Sequence, residues 1–159
     1  MPAVTVLTAV RDAARTLPET IASIRAQTFD DWEYVIVDDA STDDTVPCIE
    51  AAMADDARIR LVRRATSGGP YVAANVGLAT ASGKYVVRID ADDIALPHRI
   101  ERQLGFLRET GLRACAAGWQ PRASNGAAAS VNARPSTLKW RLAVRQGLAH
   151  STACAAFSP

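Results

Sequence analysis

Short apolar runs alternate with longer amphipathic segments along most of this chain. The segments between the runs repeat apolar residues at helical spacing, as Leu17, Ile21 and Ile24 do. The apolar runs of strand length cover residues 4–10, 33–38, 59–62 and 84–89. This alternation predicts an α/β fold in which a mostly parallel sheet carries helices on both faces, in three α/β/α layers.

Local signals set the predicted bounds of these elements. Pro18 fits the first turn of the first helix, where its missing N–H costs nothing. Ser41 or Thr42 is expected to cap a second helix. Gly83 is expected to stop a third helix over residues 71–81. The remaining predictions are a helix from residue 97, a strand over residues 112–119, a turn over 124–130, a helix over 137–146 and a strand over 150–157.

Length and composition describe one globular domain. The 159 residues, 48% of them apolar and 22% charged, suit a single domain over residues 1–159 with a sizeable core. No stretch reaches the roughly 18 apolar residues of a membrane span, and no signal-peptide pattern opens the chain. The three cysteines are widely separated, so we expect a cytoplasmic location.

Charge is distributed unevenly, although the net charge is only +1. From residue 110 to residue 159 there are six basic residues and no acidic one. Such a segment could face anionic phosphate, a membrane surface or nucleic acid. Alternatively, an acidic remainder of a longer protein is absent from this sequence. We expect no nucleic-acid partner and leave peripheral association with the inner face of the membrane open.

Three carboxylates follow the apolar run that ends at Ile89, in the stretch Asp90-Ala91-Asp92-Asp93. Like charges this close repel each other unless a cation lies among them, and carboxylate oxygens suit a divalent metal that carries a diphosphate. Polar clusters also follow the first and second strands, at residues 8–11 and 38–39. Because ligands of such folds bind beyond the carboxyl ends of the strands, we expect the three clusters to converge there.

Several further stretches stand in a defined order around this motif. They are Val4 to Thr8, Ser23 to Phe29, Val35 to Asp43, Gly69 to Gly77, Ala81 to Tyr85, and Asp90 to Asp93 with Pro97, Arg99 and Gln103. In this order the chain resembles the inverting glycosyltransferases of family 2, over nearly all of residues 4–107. The resemblance implies a GT-A-type, Rossmann-like fold and a nucleotide-diphosphate sugar as donor.

The resemblance also implies a role for each cluster. Thr8 and Ala9 would line the base pocket with backbone groups, and Asp39 would accept a hydrogen bond from N3–H of uracil or thymine. Asp90 would reach the ribose or sugar hydroxyls, and Asp92 would bind Mn²⁺ or Mg²⁺ that bridges the diphosphate. The residues expected at the nucleotide sugar are Thr8, Ala9, Val10, Asp39, Gly69, Asn75, Asp90 and Ala91, and those expected at the metal are Asp92 and Asp90.

Several of these positions also have a structural alternative. Asp38, beside Asp39, could cap a neighbouring amide at the end of its strand. His150 could be an ordinary histidine near the sheet edge, or it could approach the metal or the diphosphate. The residues that could instead serve turns, local contacts or packing are Gly68, Gly69, Asn75, Trp119 and Trp140.

Two departures from the family pattern bear on function. Val10-Arg11 stands where the family commonly has Tyr-Asn, and Arg11 could contact phosphate or be solvated. Inverting transfer needs a general base, which in the family is an Asp or Glu well after the metal motif, yet no carboxylate follows Glu109. His150 could serve, although nothing in the sequence singles it out. We therefore expect a truncated portion of a longer enzyme, which holds the donor half and does not transfer sugar robustly alone.

The function that the resemblance implies is sugar transfer, with inversion, from a UDP- or dTDP-sugar to an acceptor hydroxyl during synthesis of a polysaccharide or cell-surface glycan. The acceptor, a glycan, lipid or protein, is left open. The main alternative is a non-catalytic nucleotide-sugar-binding domain, which differs only in the missing base. A receiver domain would carry its acid pair on the first strand, and a haloacid-dehalogenase-like phosphatase would carry Asp-x-Asp near its N-terminus, so both are disfavoured.

Overall fold

The computed structural model describes residues 1–117 and the backbone of residues 141–144. Strands and helices alternate in it, as the apolar pattern predicts. The strands are β1 (Val4–Val10), β2 (Trp32–Asp38), β3 (Ile59–Arg63), β4 (Tyr85–Arg88), β5 (Ala114–Ala116) and β6 (Arg141–Val144). The helices are α1 (Leu17–Arg25), α2 (Thr45–Asp55), α3 (Pro70–Thr80) and α4 (Arg99–Thr110). Among these helices none combines the length and apolar character needed to cross a bilayer.

The described strands form one sheet in the order β3-β2-β1-β4-β6-β5. The four strands β1 to β4 are parallel, whereas β6 is antiparallel to both β4 and β5. β1 pairs with β2 from Val4 to Val10, but with β4 only from Val4 to Leu7. The chain moves outwards from β1 to β3 and then returns to the other side of β1, which makes the β1–β4 junction the switch point where ligands of such sheets bind.

Alternate side chains of β1 pack on opposite faces of the sheet. Val4 and Val6 lie in one core cluster with apolar residues of α1, α2 and α4. Leu7 lies in a second cluster with Ala73 of α3. Helix α3 approaches the sheet closely, because a Cβ at Gly77 would overlap the Leu7 side chain. Helices therefore cover both faces, which confirms the predicted three-layer fold.

A buried carboxylate ties together the amino ends of the strands. Glu33 accepts hydrogen bonds from the Thr5 hydroxyl at 2.6 Å and from the Ser82 amide and hydroxyl at 2.6 and 2.8 Å. Burial raises the pKa of Glu33, but these hydrogen bonds outweigh that effect and hold the pKa below its ordinary value. The Thr5 hydroxyl also accepts from the Gly83 amide at 2.9 Å. One network thus joins β1, β2 and the turn before β4.

The predicted cap of α2 is wrong. The helix begins at Thr45, and Asp44 before it makes no side-chain cap. The Ser41 hydroxyl instead accepts from the Asp12 amide at 3.0 Å, and the Thr42 hydroxyl and amide both donate to the Asp12 carboxylate. Both hydroxyls tie the loop after β2 to the loop after β1, and both residues lie before the N-cap position of the helix.

The predicted role of Gly83 is also wrong. Helix α3 ends at Thr80, and Ala81 already has an extended backbone, so the helix stops before the glycine. A Cβ at residue 83 would lie 2.4 Å from the backbone nitrogen of Thr5. Gly83 therefore permits the close approach of this turn to β1.

The elements predicted after residue 110 agree least with the structure where it describes them. The predicted helix over residues 137–146 is wrong where it is described, because Arg141–Val144 is strand β6. The predicted strand over residues 112–119 is present as the short strand β5. The predicted turn over 124–130 and strand over 150–157 lie outside the described residues, as do Trp119, Trp140 and His150.

Replacing Gly83 by alanine should destabilise the fold, because the new methyl group would meet backbone atoms of Val4 and Thr5. We expect the free energy of unfolding to fall by about 1–3 kcal/mol. The matched control is Gly105→Ala in α4, where nothing lies within 4 Å of the Cβ position, and which should gain about 0.5–1 kcal/mol. Urea unfolding measures both values, and equal effects would contradict the close-approach role of Gly83.

Candidate functional site

The carboxyl ends of the parallel strands meet at one edge of the sheet. The Asp39 amide, after β2, donates to the Val10 carbonyl at the end of β1 over 2.8 Å. The Arg64 amide, after β3, donates to the Asp38 carbonyl over 3.0 Å. The acidic stretch follows the parallel neighbour β4, so the three polar clusters singled out in the sequence share this edge.

Residues 90–93 form a turn directly after β4. The Asp93 amide donates to the Asp90 carbonyl at 3.2 Å. Asp92 is exposed, and the Asp90 side chain is 43% exposed. The Arg88 guanidinium lies 3.5 Å from the Asp90 carboxylate, which offsets part of the repulsion between the acids. Two accessible carboxylates therefore stand at the switch point of the sheet.

Four consecutive carbonyl groups that lead into this turn each accept a hydrogen bond from a different part of the chain. The donors are the Arg99 guanidinium for Arg88, the Thr8 hydroxyl for Ile89, the Asp93 amide for Asp90 and the Thr20 hydroxyl for Ala91, at 2.9, 2.9, 3.2 and 2.9 Å. These bonds satisfy a backbone segment that has left the sheet ladder. The turn is therefore held by β1, α1 and α4 through its backbone.

Arg99 is a largely buried cation in this region. Its guanidinium also lies 3.4 Å from the side-chain oxygen of Gln103, to which it donates. Burial lowers the pKa of Arg99, while the nearby carboxylate of Asp93 opposes that shift. Because an arginine keeps its proton in proteins, Arg99 remains a fixed positive charge close to the acidic turn.

Three buried polar residues, Thr20, Ser23 and Gln27, have no role in the sequence-based predictions. They lie on α1 and just beyond its end, and all three bond to the backbone of residues 91–100. The signal available in the sequence is their spacing of three and four residues, which places them on one face of a helix. Such a polar row on a helix beside the core indicates a buried partner.

Thr8 lies beneath the site rather than lining it. It is fully buried, and its hydroxyl contacts the Tyr34 hydroxyl at 2.8 Å and donates to the Ile89 carbonyl at 2.9 Å. Since the one hydroxyl hydrogen of Thr8 goes to Ile89, Tyr34 is the donor in the other contact. Burial raises the pKa of Tyr34, which keeps that donor protonated. The burial of Thr8 does not support its predicted contact with a base. Of its two neighbours with the same predicted contact, Val10 is also buried and Ala9 is partly exposed.

Asp39 is almost completely buried, and its carboxylate binds the loop that leads into α3. It accepts from the Ser67 hydroxyl at 2.7 Å and from the amides of Gly68 and Gly69 at 3.1 and 2.8 Å, and it pairs with Arg64. Gly69 has φ of 86°, a conformation that glycine adopts at little cost. Burial raises the pKa of Asp39, but these donors outweigh it and lower the pKa to about 2.

These contacts bear on the predicted role of Asp39 at a base. A carboxylate has about four acceptor positions, and protein donors already occupy them in this structure. Accepting a hydrogen from a base therefore requires a donor such as Ser67 or Arg64 to turn away. Asp39 thus has a second role that the sequence did not indicate, which is to order the loop before α3.

The other candidate residues divide into buried and exposed groups. Asp38 is buried and accepts from the Ser41 amide at 3.2 Å, which is the structural alternative foreseen for it. Asn75 is exposed on α3. Arg11 is also exposed, and its guanidinium lies 3.4 Å from the Asp12 carboxylate. Of these residues, Asn75 and Arg11 are accessible to a ligand.

The acidic turn fits a hard divalent cation that is shared with phosphate. In the part of the chain that the structure describes, no three His, Cys, Asp or Glu side chains are grouped so as to hold a metal by themselves. A cation such as Mg²⁺ needs only one or two carboxylates when it binds a nucleotide, because phosphate oxygens and water complete its shell. Asp90 and Asp92 offer such oxygen atoms, so Mn²⁺ or Mg²⁺ fits the donors present.

Solved structures that share this fold include glycosyltransferases. Residues 1–349 of TarS from S. aureus, in complex with UDP, match with a TM-score of 0.65 at 26% identity, over 70% of this chain and 33% of that fragment. The mannosyltransferase PcManGT of Pyrobaculum calidifontis, in complex with GDP-Man and Mn²⁺, matches with a TM-score of 0.67 at 28% identity, over 72% of this chain and 35% of PcManGT. The sheet order and the strand-end site thus define a domain of the GT-A glycosyltransferase class.

Sequence comparison narrows the class to a family. The profile of Glycosyl transferase family 2 matches residues 5–154, and the chain belongs to this family. EpsE of Bacillus subtilis, a candidate glycosyltransferase, is 38% identical over 110 residues, which are 68% of this chain and 39% of EpsE. TuaG of the same species, a candidate glycosyltransferase of teichuronic acid biosynthesis, is 36% identical over 115 residues, or 72% and 44%. The chain therefore spans less than half the length of these two relatives.

Asp39→Asn should make the free energy of unfolding depend less steeply on pH at acidic pH. The pKa of this carboxyl is about 2 in the folded chain, against an ordinary value of 3.8. Its stabilising contribution is therefore present above about pH 4 and is lost as the pH falls through about 2. Between about pH 4 and pH 2 we expect the free energy of unfolding to fall more steeply in the wild type than in the variant. The reason is that unfolding of the wild type takes up at most about one more proton. Urea unfolding at several pH values measures the slopes, and parallel curves would count against the assignment.

Proposed function

We propose that this chain is the donor-binding part of a glycosyltransferase that uses a nucleotide-diphosphate sugar and a divalent metal. The observation that carries the proposal is the acidic turn, in which Asp90 and Asp92 are accessible at the switch point of the sheet. Carboxylates held this close on a fixed backbone cost electrostatic energy unless they bind a cation. Membership of glycosyl transferase family 2 supports the same reaction class.

Each strand end then has a part in holding the donor. Asp92, together with Asp90, holds Mn²⁺ or Mg²⁺ and thereby the diphosphate, and Asp90 also faces the ribose or sugar hydroxyls. When bound, the metal neutralises the negative charge that develops on the departing diphosphate. Ala9 and the loop at Gly69 flank the nucleotide. The proposed donor set uses oxygen ligands only, as a hard cation prefers.

The proposed base is uracil or thymine. Either base presents one N–H between two carbonyl oxygens, and this edge is complementary to the Asp39 carboxylate with the Ser67 hydroxyl and the Arg64 guanidinium beside it. When the base arrives, those two donors can move from Asp39 to the base carbonyls, and Asp39 then accepts the N3–H. Guanine presents an amino group in place of one carbonyl, and an amino group cannot accept a hydrogen bond from Ser67 or Arg64.

Transfer with inversion also needs a general base on the acceptor side. No Asp or Glu follows Glu109 in this sequence, and the other candidate, His150, lies outside the described residues. This observation keeps a non-catalytic nucleotide-sugar-binding domain as a second candidate function. Such a domain would bind UDP with Mn²⁺ and would neither transfer nor hydrolyse the sugar of a UDP-sugar.

We further propose that the whole protein acts in the synthesis of a polysaccharide or another cell-surface glycan. The support is the similarity to TuaG, whose name refers to teichuronic acid biosynthesis. The acceptor is a glycan, lipid or protein. The proposed location is the cytoplasm, at the inner face of the membrane, where the basic segment over residues 110–159 would be attracted to anionic lipid.

Asp92→Asn should weaken UDP binding in the presence of Mn²⁺ by at least about tenfold, because a neutral amide binds a hard cation less well than a carboxylate. Metal-free UDP binding should change little. Calorimetry with UDP, with and without Mn²⁺, measures both. The matched control is Asp31→Asn, which removes an exposed carboxylate at the opposite end of β2 and should bind like the wild type.

Two outcomes of this experiment are decisive. Intact Mn²⁺-dependent binding by the Asp92 variant would overturn the metal assignment. Failure of the wild-type chain to bind UDP in either condition would overturn the proposed function itself.

UDP should bind about three- to tenfold more tightly than GDP, the worth of one hydrogen bond, because the guanine amino group cannot accept a hydrogen bond from Ser67 or Arg64. Competition between the two nucleotides at fixed Mn²⁺ measures this ratio. Ser67→Ala should reduce the preference, since it removes one of the donors that the uracil carbonyls require. Equal affinities for UDP and GDP would contradict the base assignment.

A further inference from the structure

A row of polar side chains on one side of α1 runs beside the segment that joins the acidic turn to α4. Thr20, Ser23 and Gln27 are 0%, 8% and 4% exposed. Ile21 and Ile24 of the same helix lie in the core cluster against the sheet. The helix is thus fixed to the sheet by its apolar residues and presents its polar row to residues 91–100.

Thr20 and Ser23 hold the part of this segment nearest the acids. The Thr20 hydroxyl donates to the Ala91 carbonyl at 2.9 Å. The Ser23 hydroxyl accepts from the Ala95 amide at 3.0 Å and donates to the Thr20 carbonyl at 2.7 Å. Because Ser23 both donates and accepts, its hydroxyl has one allowed orientation. The backbone on both sides of Asp92 and Asp93 is therefore tied to α1.

Gln27 uses both ends of its side-chain amide in the same way. Its nitrogen donates to the Leu96 carbonyl at 2.8 Å, and its oxygen accepts from the Ile100 amide at 3.1 Å. The Ile100 amide belongs to the first turn of α4, where backbone donors have no partner within the helix. Gln27 thus caps α4 from another element, which fixes the helix that carries Arg99.

We propose that Thr20, Ser23 and Gln27 are positioning residues that set where Asp90 and Asp92 stand for metal-dependent donor binding. The inference rests on the proposed function, since it assigns the acids to the metal. A turn that moves freely must be ordered when the metal and diphosphate bind, and that cost reduces affinity. A turn already held by α1 avoids the cost. A nucleotide that binds without metal does not use Asp92, so its affinity depends less on the row.

Thr20→Val tests the proposal, because valine keeps the shape of threonine and removes the hydroxyl that holds Ala91. We expect UDP affinity with Mn²⁺ to fall by about three- to tenfold, the worth of one hydrogen bond, with little change in metal-free affinity. Thr20→Ser keeps the hydroxyl and should restore wild-type affinity. The control is Thr80→Val, which removes a similar hydroxyl–carbonyl bond inside α3, to Gly77, and should have no effect on either affinity.

Amide hydrogen exchange of the nucleotide-free chain gives a second readout that needs no ligand. In Thr20→Val, the Asp93 amide, which closes the acidic turn, should exchange at least about threefold faster. The Val6 amide in the central strand should keep its rate. A uniform rise across the chain would mean that the substitution only destabilises the fold, and it would overturn the proposal.

The remaining outcomes distinguish the positioning role of the row from the proposed function. Mn²⁺-dependent UDP binding by the wild type, with no selective loss in Thr20→Val, would overturn the positioning role and leave the proposed function standing. Equal losses with and without Mn²⁺ would do the same. Absence of UDP binding by the wild type would overturn both.

Discussion

The early separation of β4 from β1 is the constraint on which the site depends. β1 stays paired with β2 to its last residue, but its pairing with β4 ends at Leu7. Beyond that point the hydrogen-bond ladder between β1 and β4 ends. The buried Thr8 hydroxyl then supplies the Ile89 carbonyl with a donor, which Tyr34 supports from β2. Without such a donor, the carbonyl that starts the acidic segment would be buried and unsatisfied.

Polar networks at the two ends of the strands do different work. At the amino ends, Glu33 joins three parts of the chain. At the carboxyl ends, Asp39 orders the loop before α3 while it stands where a base is proposed to bind. A residue that both orders a loop and binds a base must exchange hydrogen-bond donors of the protein for donors of the ligand. The exchange costs little free energy when the number of hydrogen bonds is conserved, because no donor or acceptor is left without a partner.

The elements with local signals could be predicted from the sequence, and those defined by distant partners could not. β1 is a continuous apolar run whose bounds follow from the sequence, and the spacing of Leu17, Ile21 and Ile24 indicates α1. β6 is four residues long and exists through its pairing with β4 and β5, which no local pattern reveals. The acids at the end of β4 could be predicted because three charged residues directly after an apolar run stand out in the sequence. The local sequence predicts Ser41 or Thr42 as a helix cap because their true partner, Asp12, lies about 30 residues away.

The contacts between α1 and the acidic segment have a consequence for how this site can change over time. Thr20, Ser23 and Gln27 bind backbone groups of the segment, and a backbone carbonyl or amide is the same whatever side chain its residue carries. Side-chain substitutions at Asp90 and Asp92 therefore leave these backbone contacts intact. Evolution or an engineer can therefore exchange the proposed metal ligands, Asp90 and Asp92, without first redesigning the scaffold that presents them.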